Sequence, residues 1–192
     1  MKRSVTMRWF AAVVVVVAVL AGSAYAGKPP ERPSETLTIM DIDGTETVLT
    51  LADLEAMPQT TAKDYPCIGE SVGFIGISDF TGVLVTTLLE KAKKIEGSSD
   101  YLKRNVYVLF KGTDGYQVMT TWYDLTTESG RQAMVALKQD GQALAPEIGE
   151  FRSVFPAEIR VARSVMCLER IELHVIPGVV EKKKDDGEKK AG

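Results

Sequence analysis

The sequence predicts an α+β domain with more strand than helix and only a few short helices. Three observations carry this. Short β-branched and aromatic runs recur between Leu37 and Val175, and Asp-Gly pairs punctuate them at Asp43-Gly44, Asp114-Gly115 and Asp140-Gly141. A single stretch, Val83 to Lys94, repeats its apolar residues at sustained helical spacing.

The first two runs, Leu37 to Ile42 and Thr45 to Leu51, flank Asp43-Gly44. Asp-Gly tolerates the positive φ angles of a tight turn, so the runs are expected to form a β-hairpin. Thr50 stands three residues ahead of Asp53 and precedes Leu51, Leu54 and Met57, a capping-box pattern for a short helix that stops at Pro58. Residues 59 to 82 hold four glycines and the first cysteine with little helical periodicity, and are expected as a long loop with some extended structure. From Val83 to Lys94 the apolar residues Val83, Leu84, Leu88, Leu89 and Ala92 mark a helix whose lysines gather at the C-terminal end, where the helix dipole favours them. Asn105 to Phe110 and Tyr116 to Thr121 read as strands around Gly112 to Gly115. Ala133 to Lys138 is a further strand, and Ser153 to Phe155 and Glu169 to Val175 are extended.

Domain organisation follows from the flanks. Lys2, Arg3 and Arg8 precede an uncharged apolar run from Trp9 to Ala21, and Ala24-Tyr25-Ala26 satisfies the small-x-small rule of signal cleavage. Residues 1–26 are expected as a signal peptide, which makes the protein periplasmic or secreted. The run is thirteen residues long, short of the roughly 20 that cross a bilayer, so no stable membrane insertion is expected after cleavage; an uncleaved anchor is the alternative. Residues 27–36, rich in proline, are expected as a linker, 37–176 as one domain, and 177–192 as a charged, disordered tail.

Charge and motif content exclude several function classes. Loss of residues 1–26 takes the formal net charge from −3 to −6, which argues against a nucleic-acid partner, since phosphate binding requires a basic patch. Neither a P-loop nor a G-x-G-x-x-G pattern occurs. With His174 the only histidine, a zinc site or a Ser-His-Asp triad is hard to build. Gly69-Glu70-Ser71-Val72-Gly73 matches G-x-S-x-G, but that pattern carries chemistry only on a strand-turn-helix elbow beside a histidine, and chance explains it better.

Two cysteines remain, Cys67 and Cys167. In an exported protein they suggest a disulfide, stabilising by up to about 4.7 kcal/mol on the chain-entropy model. The competing reading leaves Cys67 as a thiolate facing a pocket and ready for a soft metal. Spacing alone leaves both open.

Read in order, Thr61 to Cys67, Phe80-Thr-Gly-Val83 with Leu88-Leu89, Phe110-Lys-Gly-Thr-Asp-Gly-Tyr116, Asp140-Gly141, Arg152-Ser-Val-Phe-Pro156 and Ala162-Arg-Ser-Val165 resemble the molybdopterin-binding domain of the sulfite oxidase family. The likeness runs from about Leu37 to Leu173. It implies a mixed, β-rich sulfite-oxidase-like fold and a molybdopterin (molybdenum) cofactor. By the same resemblance Cys67 is the thiolate ligand to the metal and the catalytic position, and Arg152 lies against the pterin. The implied chemistry is oxo transfer to or from a small sulfur-containing substrate, with a redox partner protein handling the electrons.

The chain departs from the family pattern in places. Where the family has Lys-Trp, with the lysine reaching the cofactor's phosphate, this sequence has Met166-Cys167; Arg160 and Arg163 are the nearest substitutes in sequence. Lys2-Arg3 is not a twin-arginine signal, and five consecutive valines suit export of an unfolded chain. The second hypothesis is therefore a non-catalytic envelope protein that keeps the fold to bind a small ligand or a partner, with Cys67 and Cys167 as candidates for a disulfide.

Overall fold

The computed structural model describes residues 33–179. The expected signal peptide and most of the expected linker and tail lie outside them.

The elements run β1 (Thr36–Met40), β2 (Glu46–Thr50), α1 (Leu51–Glu55), β3 (Thr60–Gly69), β4 (Gly73–Leu84), α2 (Val85–Leu89), α3 (Lys93–Glu96), α4 (Asp100–Lys103), β5 (Val106–Gly112), β6 (Gln117–Thr121), α5 (Trp122–Thr126), β7 (Met134–Gln139), β8 (Gln142–Ala143), β9 (Arg152–Val154) and β10 (Leu168–Val175). The α+β class and its excess of strand over helix are as expected.

Two sheets form. One has the order β2-β1-β10-β5-β6, the other β3-β4-β7-β8 with β9 also paired to β7. The β1–β10 pairing is parallel and joins the two ends of the domain, with Ile39 opposite Ile171. The main core lies between the sheets, where Leu37, Val108, Phe110 and Ile171 of the first meet Val83, Val135 and Leu137 of the second, with Leu54, Leu88 and Leu125 from the helices. Tyr65, Cys67, Phe80, Met134, Ala136 and Val154 form a second, smaller cluster. Both faces of the second sheet are therefore buried along part of its length, and the small cluster carries Cys67.

Local chemistry accounts for the elements that match. Gly44 takes φ 84° in the β1–β2 turn, where the Asp41 N–H donates to the Thr45 carbonyl at 2.8 Å. Thr50 caps α1 with a reciprocal capping box to Asp53, and Thr121 and Asp124 repeat the device at α5, which the sequence reading missed.

Two expectations are corrected. Residues 59–82 are mostly not loop: β3 and β4 pair along almost their whole length, from Thr60 opposite Gly82 to Gly69 opposite Gly73. Register shifts between Ala62 and Tyr65 and between Cys67 and Ile68 break the strict alternation that would have signalled strands. The helix expected over 83–94 is split. Val83 and Leu84 still pair with Val135 and Met134 as the end of β4, and the chain turns at Ala92 before α3 begins. The Asp41 carboxylate accepts from the N–H groups of Lys94 and Ile95 at 2.6 and 3.1 Å, which fixes that second start.

Candidate functional site

Cys67 and Arg152 meet at one cavity. Cys67 sits on β3 opposite Gly76, and Arg152 opens β9 opposite Ala136. Both line a cavity of about 580 Å³ together with Ile77, Asp140, Glu147 and Met166, a volume within the range of small-molecule and cofactor sites.

Arg152 is held from two sides. Its guanidinium carbon lies 5.0 Å from the centroid of the Phe80 ring, a cation–π distance. Its Nε donates to Ser164 Oγ at 2.7 Å, and that hydroxyl donates to the Ser153 carbonyl at 2.7 Å. The residue is only 2% exposed, and among the described residues no carboxylate forms an ion pair with it. Buried cations are normally paired, so a buried guanidinium aimed at a cavity without a carboxylate partner is suited to an anionic ligand.

Cys67 is 5% exposed. Burial pushes its thiol above the ordinary value; the positive charge of Arg152 offsets part of this, and the carboxylate of Asp140 adds to it. A thiol of this kind stays protonated at neutral pH until a metal displaces the proton.

The disulfide considered between Cys67 and Cys167 is not formed, since both thiols are free. Cys167 has a left-handed φ of 47°, and a Cβ on Gly149 would lie 3.0 Å from its sulfur, so the thiol sits against Gly149. Its predecessor Met166 instead lines the Cys67 cavity.

Arg160 and Arg163 do not stand in for the missing lysine. Arg160 pairs at the surface with Glu70 at 2.8 Å. Arg163 pairs with Glu158 and covers the Phe155 ring at 4.9 Å; neither lines the Cys67 cavity. Asp140 and Glu147 do, and in the sequence the Asp140-Gly141 pair signals only a turn. Ser71 lies in the turn between β3 and β4, not on an elbow before a helix. His174 stacks on Tyr107 and meets Glu172 at 3.0 Å, a partnership within the first sheet.

The glycine of Phe80-Thr-Gly-Val83 has a packing reason. A Cβ at Gly82 would stand 2.0 Å from the Val135 carbonyl oxygen, so β4 approaches β7 there closer than any side chain allows. Gly115, by contrast, takes φ 82° in an open turn.

A thiol sulfur and a buried guanidinium without a carboxylate partner, facing one cavity of adequate volume, fit the metal and anionic ends of a molybdenum–pterin group. Met166, where the family has its lysine, adds no charge, and the two lining carboxylates reduce the positive potential.

The fold is similar to that in the crystal structure of the sulfane dehydrogenase SoxCD from Paracoccus pantotrophus, with a TM-score of 0.54 at 21% identity over 72% of this chain and 38% of that one. That likeness is one of fold, and the chain spans well under half the length of its relative. No curated protein sequence matches the chain. The family model described as oxidoreductase molybdopterin binding domain matches residues 27–177, and the chain belongs to that family.

Proposed function

We propose that this protein is an exported oxidoreductase domain that binds molybdopterin in the Cys67–Arg152 cavity and acts on a small sulfur-containing substrate. The observation that carries the reading is the shared cavity: the single thiol suited to a soft metal and a buried guanidinium without a carboxylate partner open onto the same space. Export rests on the basic start, the apolar run and Ala24-Tyr25-Ala26.

In this reading Cys67 gives up its proton and holds the metal through Sγ. Arg152, fixed by Ser164 and Phe80, presents its remaining N–H groups to the anionic pterin. When bound, the cofactor supplies two-electron oxo transfer, and a redox partner protein takes or returns the electrons. Ile75 and Ile77 line the cavity from β4 and give the substrate's apolar part a surface that holds no water by hydrogen bonds.

A second reading, a non-catalytic ligand-binding domain, is favoured by Met166, Asp140 and Glu147, which leave Arg152 as the one lining cation of the cavity. X-ray absorption at the molybdenum edge separates the two. The oxidoreductase reading expects a bound metal whose sulfur coordination falls by one in Cys67→Ser. Unchanged coordination removes Cys67 as ligand, and a metal-free native protein supports the second reading.

A further inference from the structure

A second cavity, of about 610 Å³, lies along the first half of β3, and neither Cys67 nor Arg152 lines it. Its apolar lining includes Tyr65, Leu84 and Met134; Tyr65 is 3% and Met134 1% exposed, so they form a floor rather than a rim. Two cations, Lys63 and Arg131, line it against a single carboxylate, Asp64. Both are exposed, and among the described residues neither forms an ion pair.

The backbone beside this groove is built for something other than regular pairing. The register shifts between Ala62 and Tyr65, and Asp64 takes a left-handed φ of 53°, a conformation that costs a non-glycine residue about 1 kcal/mol or more. It is held in place: the Asp64 N–H donates to Asp79 Oδ1 at 2.8 Å, and the Asp79 N–H donates to Asp140 Oδ1 at 2.8 Å. A bulge fixed by two successive carboxylates re-aims neighbouring side chains, and here Lys63 and Asp64 both come to line the groove.

We propose that this groove is a binding site for a small amphipathic anion, with an apolar body on Tyr65, Leu84 and Met134 and a carboxylate-type head held by Lys63 and Arg131. The apolar floor provides affinity for any hydrocarbon chain, whereas the two cations select the head group. Thr60 and Thr86 line the same groove, and their hydroxyls can donate to a carboxylate head. The site does not depend on a cofactor at Cys67.

The test is a titration of the ¹⁵N-labelled full chain with octanoate, read by amide chemical shifts, with octanol and octylammonium as matched probes. Octanoate is expected to shift amides of residues 60–66 and 131–134 saturably, and to bind about tenfold tighter than octanol. The exposed double variant Lys63→Ala/Arg131→Ala should weaken octanoate by about the same factor and leave octanol unchanged. Equal affinity for the three probes, shifts centred elsewhere, or a variant that binds octanoate like the wild type would each overturn the proposal.

Discussion

The guanidinium carbon of Arg152 stands 5.0 Å from the centroid of the Phe80 ring, and Phe80 belongs to the smaller of the two apolar clusters. A charge in that position without a carboxylate partner is costly to the folded chain, and retaining it there suggests a use other than stability. Arg152→Met should therefore raise the unfolding free energy of the metal-free protein by about 1 kcal/mol, while lowering retention of molybdopterin by at least about tenfold. Denaturant unfolding together with pterin content measures both. A variant that is destabilised and keeps its pterin contradicts this account of the residue.

Cys67 should behave as a quiet thiol in the metal-free protein. Because burial raises its pKa, with Arg152 opposing and Asp140 reinforcing, alkylation by iodoacetamide should be slower at neutral pH than that of an unhindered cysteine. Asp140→Asn should speed the reaction and Arg152→Met should slow it, as read by peptide mass. Opposite signs for the two variants would refute the electrostatic description of the cavity.

The first sheet carries an acid-sensitive element. Burial by itself would raise the Glu172 carboxyl, but hydrogen bonds from Lys111, Arg170 and His174 outweigh it and pull the pKa down from 4.5 to about 2. A folded pKa below the unfolded one means stability that is fully present above about pH 4.5 and lost as the pH falls toward 2. After allowance for solvent screening the contribution is about 1–2 kcal/mol. Glu172→Gln should lose it at neutral pH and flatten the acid limb of the stability curve; an unchanged acid limb would count against the network.

Gly82→Ala should be far more harmful than Gly115→Ala. At Gly82 the added carbon would meet the Val135 carbonyl at 2.0 Å and the Ala136 Cα at 2.7 Å, backbone atoms that cannot step aside, for a cost of about 3 kcal/mol or failure to fold. At Gly115 the space is open and only the positive φ is strained, at about 1 kcal/mol. Thermal unfolding of the two variants gives the comparison directly.

How far the sequence could be read depended on whether a signal was local. Asp43-Gly44 and the Thr50–Asp53 box act within a few residues, and both elements stand where they were expected. The β3–β4 hairpin was hidden because bulges at Ala62/Tyr65 and Cys67/Ile68 interrupt its alternation. At the end of β4, Val83 and Leu84 fit a helical period that pairing with β7 overrides. At the site, the motif order singled out Cys67 and Arg152, which do share a cavity. Phe80 and Ser164, which hold Arg152, were invisible because contacts of that kind depend on tertiary proximity. The left-handed φ of 47° at Cys167 had no sequence mark, since Gly, Asn and Asp are the residues that favour that conformation.

A molybdopterin site at the Cys67 cavity is checked by the molybdenum and pterin content of protein purified from its native host, for the wild type and Cys67→Ser side by side. About one molybdenum per folded wild-type chain and a marked loss in the variant are expected; a well-folded wild type free of both metal and pterin would rule the site out.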